Sequence, residues 1–274
     1  MAFVDTERIF QLPLESAPPA RRALLRALEM ILQFPRLNRQ YAMVSALPPG
    51  LPFADRVLMG FQSSFHLPEE DIARIPRRGP LVVVANHPFG GIEGVIMTSL
   101  FGKIREDFRL MSNYMLEIIP EMRRHIISVN PFGGGAALRA NLRPIKECLG
   151  WLRDGGALIV FPSGTVSHFH LRGLCVKDPE WNPGVGGLIR RARAAALPVY
   201  FHGRNGLFFQ AAGLLHPRLR TILLPREILN KRKKVFEMRA GEPVAFDALA
   251  GLGGDAAIIR HLRERTYALG RDPA

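Results

Sequence analysis

A histidine and a glutamate with five residues between them are the strongest candidates for chemistry in this sequence. His87 and Glu93 lie in the segment His-Pro-Phe-Gly-Gly-Ile-Glu, whose two glycines permit a bend with positive φ. Such a bend could bring the imidazole into hydrogen-bond contact with the carboxylate. The imidazole would then serve as a general base, and the carboxylate would fix its tautomer and stabilise the imidazolium. The structural alternative is a capping histidine followed by a glutamate that favours a helix N-terminus.

The segments that flank this loop predict how the pair would be held. Residues 81–85 read Leu-Val-Val-Val-Ala, an apolar run typical of a strand that is buried on both faces. Pro88 then removes a backbone donor and discourages further strand pairing. Residues 92–101 are mostly apolar and long enough for a buried helix, with Glu93 in its first turn. The histidine is therefore expected at the carboxyl end of a strand and the acid at the start of the next helix.

The remaining chain alternates between helix-like and strand-like segments. Helices are predicted at residues 20–34, 53–63, 136–152, 185–196 and 254–269, and strands at 108–112, 126–131, 157–161, 197–201 and 235–239. This alternation predicts an α/β fold, a three-layer sandwich in which helices flank a mostly parallel or mixed central sheet. Residues 1–52 are predicted to form an N-terminal helical segment, and residues 53–274 one continuous globular domain.

Composition and charge narrow the classes of function. The chain has 274 residues, of which 47% are hydrophobic, and a formal net charge of +13. This charge favours an anionic partner, but no nucleic-acid motif or interleaved aromatic pattern is present, so nucleic acid is not expected. Residues 20–34 could lie on anionic lipid, because Leu24, Leu28 and Ile31 share one helical face, or could simply pack on the core.

The expected location is the cytoplasm, with peripheral binding to the inner face of the cell membrane. Two cysteines without a paired spacing indicate a reducing compartment. Asp5 and Glu7 stand where a signal peptide would be basic, and no apolar stretch reaches the ~18 residues that a spanning helix needs.

Three further segments carry polar groups that could bind a substrate or a metal. Ser163, Gly164 and Thr165 follow a predicted strand and could donate N–H and O–H groups to a phosphate or an oxyanion, although a plain turn would look similar. Arg204 and Asn205 follow another strand and could bind phosphate or form a surface turn. His168 and His170 alternate along a strand, but no carboxylate or cysteine cluster completes a metal site, so no metal is expected. No Gly-x-Ser-x-Gly elbow, P-loop or dinucleotide fingerprint occurs.

Several of these segments resemble, in order, the motifs of the glycerolipid acyltransferase family, which includes the lysophosphatidic acid acyltransferases. The family usually has four residues between the histidine and an aspartate, whereas five and a glutamate resemble a hemolysin-related bacterial branch with the loop His-Pro-x-Gly-Gly-x-acid-Gly. Residues 161–167, Phe-Pro-Ser-Gly-Thr-Val-Ser, resemble the family's Phe-Pro-Glu-Gly-Thr-Arg-Ser motif. Residues 197–201, Leu-Pro-Val-Tyr-Phe, resemble its apolar fourth motif. The resemblance extends from about Pro80 to Val244.

The resemblance implies an acyltransferase that moves a fatty acyl group from acyl-CoA or acyl carrier protein to the hydroxyl of a lyso-lipid. His87 and Glu93 would be the catalytic dyad, and no metal or redox cofactor would be required. The residues expected to bind substrate are Asn86, Ser163, Gly164, Thr165, Arg204 and Asn205.

The sequence departs from the family pattern where the acceptor phosphate would be held. Ser163 and Val166 replace the glutamate and arginine of the third motif. In the second motif no arginine follows Asn130-Pro131, and residues 132–135 predict only a glycine-rich bend; the nearest arginines are Arg139 and Arg143. Lysophosphatidate is therefore not expected to be a good acceptor.

Two alternatives stay open, a non-catalytic lipid-binding protein of the same fold and a metal-dependent phosphoesterase that uses His87, His168 and His170.

Overall fold

The computed structural model describes residues 9–15, 18–130 and 135–271. The helices in these ranges are α1 (Pro19–Ile31), α2 (Phe34–Ser45), α3 (Phe53–Phe61), α4 (Glu69–Arg74), α5 (Gly91–Ile104), α6 (Gly135–Arg153), α7 (Pro183–Ala192), α8 (Leu207–Leu215), α9 (Pro217–Leu229), α10 (Phe246–Ala250) and α11 (Asp255–Leu269). The strands are β1 (Ser64–His66), β2 (Leu81–Ala85), β3 (Phe108–Asn113), β4 (Ile126–Val129), β5 (Ala157–Val160), β6 (His168–His170), β7 (Cys175–Lys177), β8 (Ala195–Phe201) and β9 (Val235–Ala240). Two 3₁₀ helices, Tyr114–Ile118 and Pro120–His125, precede β4.

Seven strands form one mixed sheet in the order β1-β9-β8-β2-β5-β3-β4. The central strand β2 is parallel to both β5 and β8, and β3 is parallel to β4 and β5. β9 runs antiparallel to β8, and β6 and β7 form a separate antiparallel pair. The predicted α/β fold with a mostly parallel or mixed sheet is confirmed.

β2 is buried along its whole length because helices cover both faces of the sheet. Val82 and Val84 belong to a core cluster with residues of α6, α7, α10 and α11, among them Ile189. On the opposite face α5 lies against β3, and a Cβ added at Gly94 would come within 3.2 Å of the Leu110 side chain. An uninterrupted apolar run is what a strand covered on both sides requires.

The described chain consists of two compact units. The first contains the described residues up to Ser64 together with Asn205–Lys234, and the second contains Phe65–Arg204 and the described residues from Val235 onward. The first unit includes α1, α2, α3, α8 and α9. This division differs from the predicted boundary between residues 52 and 53, because α9, late in the chain, packs against α2 near its beginning.

The first unit has an apolar interior of its own. Its helices α2 and α3 approach closely at Gly60, where an added Cβ would lie 2.7 Å from Val44 Cγ2, and Gln40 Nε2 donates to the Gly60 carbonyl at 2.8 Å. The carbonyl of Lys231 accepts from Ser63 Oγ at 2.7 Å. The buried apolar side chains of this unit include Leu32, Leu37, Val44, Leu58, Phe61, Phe209 and Leu223.

The helix predicted at residues 20–34 corresponds to α1, and the pattern does not predict α2, which follows it. α1 ends at Ile31, and α2 starts at Phe34 after Gln33, which adopts a left-handed conformation with φ of 59°. α1 has no buried residue, so the expected packing on a core is limited to half-buried side chains such as Leu25 and Leu28. Within the described ranges, none of the helices combines the length and apolar character that crossing a membrane requires.

Candidate active site

His87 lies directly after β2, at the carboxyl edge of the parallel strands, where the sequence placed it. Its backbone is held at both ends, since its N–H donates to Asp178 Oδ1 at 3.2 Å and its carbonyl accepts from the Ser167 N–H at 2.8 Å. The imidazole stacks on Phe161, with ring centroids 4.4 Å apart and planes inclined by 25°. The side chain is 18% exposed. The ring is therefore fixed in orientation but still reachable from solvent.

Glu93 occupies the first turn of α5 with its side chain fully buried. Its Oε1 accepts from the Phe89 N–H at 2.6 Å and lies 3.4 Å from His87 Nδ1. The bend that brings the two side chains together requires Gly90, whose φ of 105° is unfavourable for other residues. A separation of 3.4 Å is at the long end for a hydrogen bond, and such contacts commonly tighten once substrate is bound.

The charges around His87 favour its protonated form. Burial by itself lowers the pKa of His87, but the charge of Glu93 and its contact with Nδ1, together with the charge of Asp178, raise it above its ordinary value of 6.5. Because Nδ1 faces Glu93, Nε2 is the nitrogen that can take a proton from a bound molecule. The arrangement is chemically that of a general base with an orienting carboxylate.

Asp178 is a second buried carboxylate at this site, and no sequence pattern predicts a role for it here. It is 1% exposed, and besides the His87 N–H it accepts from Trp181 Nε1 at 2.9 Å through Oδ2 and from Ser167 Oγ through Oδ1. Of the two side chains that donate to Asp178, Ser167 belongs to a segment considered in the sequence analysis, as the last residue of the loop at 161–167, and Trp181 does not. Asp178 lies 91 positions from His87, and no local pattern links the two.

The loop of residues 161–167 is brought to the histidine by the Phe161 stacking and the Ser167 hydrogen bond. It forms a tight turn in which the Gly164 N–H donates to the Phe161 carbonyl at 3.0 Å and Ser163 Oγ donates to the Thr165 carbonyl at 2.8 Å. Gly164 is exposed and has a φ of 63°. A substrate-binding role for Ser163, Gly164 and Thr165 stays a prediction.

The other residues predicted to bind substrate have different surroundings. Asn86 is buried, and its amide donates to the Phe201 carbonyl at 2.9 Å and accepts from the Phe201 N–H at 2.7 Å, which braces β2 against β8. Arg204 is exposed after β8, at the end of a segment of the second unit. Asn205 belongs to the first unit, where it is buried and accepts from Lys231 Nζ. Their roles in binding remain predictions, and the contacts of Asn86 and Asn205 are structural.

The segment that resembles the family's second motif is described only in part. Asn130 is tied to α6, because its N–H donates to Asn141 Oδ1 at 2.7 Å and its carbonyl accepts from Asn141 Nδ2 at 2.9 Å. Most of the bend predicted at residues 132–135, including Gly133 and Gly134, lies outside the described residues together with Pro131. Arg139 and Arg143 are exposed on α6.

His168 and His170 lie on the same side of β6, with ring centroids 4.5 Å apart. In the described ranges no group of three or more histidine, cysteine, aspartate or glutamate side chains is arranged to hold a metal ion. His170 Nε2 donates to the Lys177 carbonyl at 3.1 Å, which ties it to the neighbouring strand β7. The phosphoesterase alternative thus gains no support from the described residues.

Comparison with known proteins gives matches along most of the chain. A family model described as Acyltransferase matches residues 44–272. Two relatives named Lyso-glycine lipid O-acyltransferase, from Phocaeicola vulgatus and Bacteroides thetaiotaomicron, are 25% and 24% identical over 206 residues; the match covers 72% of this chain and 71% and 73% of theirs. The crystal structure of the 1-acyl-sn-glycerophosphate (LPA) acyltransferase PlsC from Thermotoga maritima is similar in fold, with a TM-score of 0.51 and 17% identity, covering 93% of this chain and 88% of that one.

Proposed function

We propose that this chain, which belongs to the acyltransferase family and is a lipid O-acyltransferase, transfers a fatty acyl group from a thioester to the hydroxyl of a lyso-lipid. In this proposal His87 and Glu93 form the catalytic dyad. The observation that carries the proposal is the 3.4 Å contact between His87 Nδ1 and Glu93 Oε1 beside a loop that offers polar groups. The thioester is acyl-CoA or acyl-acyl carrier protein.

In the proposed reaction His87 Nε2 takes the proton of the acceptor hydroxyl while the hydroxyl oxygen attacks the thioester carbonyl. A C–O bond forms, and the C–S bond breaks when the tetrahedral intermediate collapses. The departing thiolate then receives the proton from the imidazolium, so protons and electrons balance without a resident metal or redox cofactor. Glu93 holds Nδ1–H and offsets the positive charge of the ring while it carries the proton.

The acceptor that fits best is a lyso-lipid whose head is not a phosphate monoester. Two relatives of this chain are named for a lyso-glycine lipid. In this chain the third motif carries Ser163 and a buried Val166 where the family pattern has charged side chains. A lyso-aminolipid or a lysophospholipid with a larger, less charged head requires fewer cationic donors. We therefore place such a lipid in the acceptor role.

We propose that the first unit binds the surface of an anionic membrane, on its inner, cytoplasmic face. Of the 16 exposed large apolar side chains among the described residues, 11 belong to this unit. α1 exposes Leu24 and Ile31 next to Arg21 and Arg26, while Leu207, Phe208, Leu214 and Leu215 of α8 are exposed as well. Apolar side chains flanked by arginines are typical of helices that lie in a lipid interface.

The test of the function is thioester consumption by the variant His87→Ala. Loss of a general base should reduce acyl transfer by ~10²–10⁴-fold, while the fold is retained. The matched control is His170→Ala, which should keep the normal rate of acyl transfer. Hydrolysis of a phosphate ester that is lost in His170→Ala would favour the phosphoesterase alternative. Near-normal transfer by folded His87→Ala would remove His87 from the mechanism. No transfer by the wild-type protein with any lyso-lipid would favour the non-catalytic lipid-binding alternative.

A further inference from the structure

We propose that Asp178 is a positioning residue of this site, whose carboxylate anchors the backbone of His87 and places a second negative charge close to the ring. The proposal rests on the proposed role of His87 as the base. It concerns a residue that neither the family motifs nor the sequence patterns single out.

The two ends of the β6–β7 hairpin hydrogen-bond to the backbone of His87. In the β6–β7 pair His168 lies opposite Lys177, so the adjoining Ser167 and Asp178 face each other at the open end of the hairpin. Their hydrogen bond, between Ser167 Oγ and Asp178 Oδ1, closes that end. The same two residues bind the carbonyl and the N–H of His87. The hairpin thereby fixes both polar backbone groups of the residue that carries the chemistry.

The donors around Asp178 require an acceptor at each of its two side-chain oxygens, which a carboxylate provides. A buried carboxylate is costly unless it is hydrogen-bonded, and Asp178 meets that requirement with donors that include a backbone N–H and the Trp181 indole, neither of which can accept. Burial raises the pKa of Asp178, while the hydrogen bonds from Ser167 and Trp181 and the charge of His87 act in the opposite direction. This donor set favours a carboxylate, whereas asparagine would place an N–H group against donors.

The other charged and titratable groups around this carboxylate come from α5, α11 and β8. Burial lowers the pKa of His87, and the negative charges of Glu93 and Asp178 together raise it beyond that loss. Arg263 donates to the Asp178 carbonyl at 2.9 Å and brings a positive charge, while the Asp178 N–H donates to the Tyr267 hydroxyl at 2.8 Å. The charge of Asp178 also contributes, after burial, to the raised pKa values of Tyr267 and Tyr200.

The experiment is a titration of the His87 ring by NMR in the wild-type protein and in Asp178→Asn, with the signal assigned by its absence in His87→Ala. We expect the pKa of His87 to fall by about 1 pH unit in Asp178→Asn, since a nearby opposite charge typically shifts a pKa by about that much or more. The acid limb of kcat/KM should move to lower pH by the same amount. The matched control is Asp247→Asn, whose side chain is 93% exposed and which should change neither quantity.

Two further variants keep the proposal testable if Asp178→Asn does not fold. Ser167→Ala and Trp181→Phe each remove one donor from the carboxylate, which then binds a proton more readily, so a smaller downward shift in the pKa of His87 is expected. An unchanged pKa of His87 in folded Asp178→Asn, or in both other variants, would overturn the proposal. Because the titration needs no substrate, this outcome is separate from failure of the proposed function, which His87→Ala reports.

Discussion

At the scale of single residues, the contact between His87 and Glu93 depends on Gly90 and on the length of the glutamate side chain. Gly90 turns the chain with a φ of 105° immediately before α5, so that the first turn of the helix faces back toward the end of β2. Glu93 then reaches His87 from a fully buried position while it also accepts from the Phe89 N–H. A carboxylate that is held by a backbone donor keeps one orientation, which is what an orienting acid needs.

The raised pKa of His87 predicts the pH dependence of the reaction. A general base must be unprotonated, so activity should be lost as pH falls through the raised pKa, and the acid limb of kcat/KM should lie above 6.5. In Glu93→Gln the amide can still contact Nδ1 but carries no charge. The limb should then move to lower pH, and the plateau rate should fall because the imidazolium loses its counter-charge.

The measurement is kcat/KM for acyl transfer between pH 5 and 9 with one donor and one acceptor, using Glu106→Gln, an exposed glutamate of the second unit, as the control. A wild-type limb at or below 6.5, or a limb that does not move in Glu93→Gln, would contradict the assignment of these two residues.

The sequence predicts the contact between His87 and Glu93 but not the residues that support it. His87 and Glu93 could be found because the elements that hold them are adjacent in the chain and the glycines between them signal a bend. Asp178 could not be found, since its place beside His87 depends on the β6–β7 hairpin, whose strands have only three residues each. Asn86 is also predicted to bind substrate, and both ends of its amide contact the backbone of Phe201.

At the scale of elements, patterns predicted the sheet better than the first unit. β2 and β5 carry continuous apolar runs, so their positions follow directly from the sequence. α8 reads Leu-Phe-Phe-Gln-Ala-Ala-Gly-Leu-Leu. Nearly all of its residues are apolar, so no alternation between a polar and an apolar face indicates a helix. α1 ends three residues before the predicted end at Phe34, because Gln33 adopts a positive φ although glutamine is a residue type that normally continues a helix. The pattern does not predict α2.

The exposed apolar side chains of α1 and α8 predict binding to lipid vesicles. We expect Leu24→Glu and Leu215→Glu, at side chains of residues 68% and 83% exposed, to weaken binding to vesicles that contain anionic lipid. An added carboxylate is costly to bury in lipid and is repelled by the anionic surface. Binding should also weaken with salt, because exposed charges are screened over about 8 Å at physiological ionic strength.

The matched control for this prediction is Leu171→Glu, because Leu171 is also 68% exposed but belongs to the second unit. Co-sedimentation with anionic and neutral vesicles measures the effect. Equal binding to both vesicle types at low salt would exclude the electrostatic contribution, and an equal loss in Leu171→Glu would show that α1 and α8 are not the surface involved.

At the scale of the whole molecule, the positive charge of +13 contrasts with the absence of arginine at the third motif. The charge is spread over many exposed side chains, among them Arg139, Arg143 and Arg204. A surface of this kind attracts an anionic membrane through many weak interactions. A compact dianion, by contrast, requires several cationic donors that converge on one point. The net charge is therefore consistent with an anionic surface as the partner and says little about the acceptor.

The last prediction follows from this contrast and concerns the acceptor. A phosphate monoester carries close to two negative charges and is best held by forked or multiple cationic donors. Ser163 is half-buried with its hydroxyl donating to the Thr165 carbonyl, and Val166 is buried, so neither offers a positive charge. Arg204 by itself provides a single guanidinium. We therefore expect lysophosphatidate to be acylated more slowly than a lyso-aminolipid or a lysophospholipid with a larger head.

The assay compares the acceptors side by side with one thioester donor, and His87→Ala sets the uncatalysed rate. The ratio of kcat/KM values isolates the head group, because the acyl chain and donor are the same in each reaction. A lower ratio for lysophosphatidate should arise mainly from the binding of the dianion, and should therefore persist when salt is raised, since screening weakens attraction but does not supply missing donors. A clear preference for lysophosphatidate would mean that basic side chains elsewhere in the chain converge on the phosphate and replace the arginine that the third motif lacks.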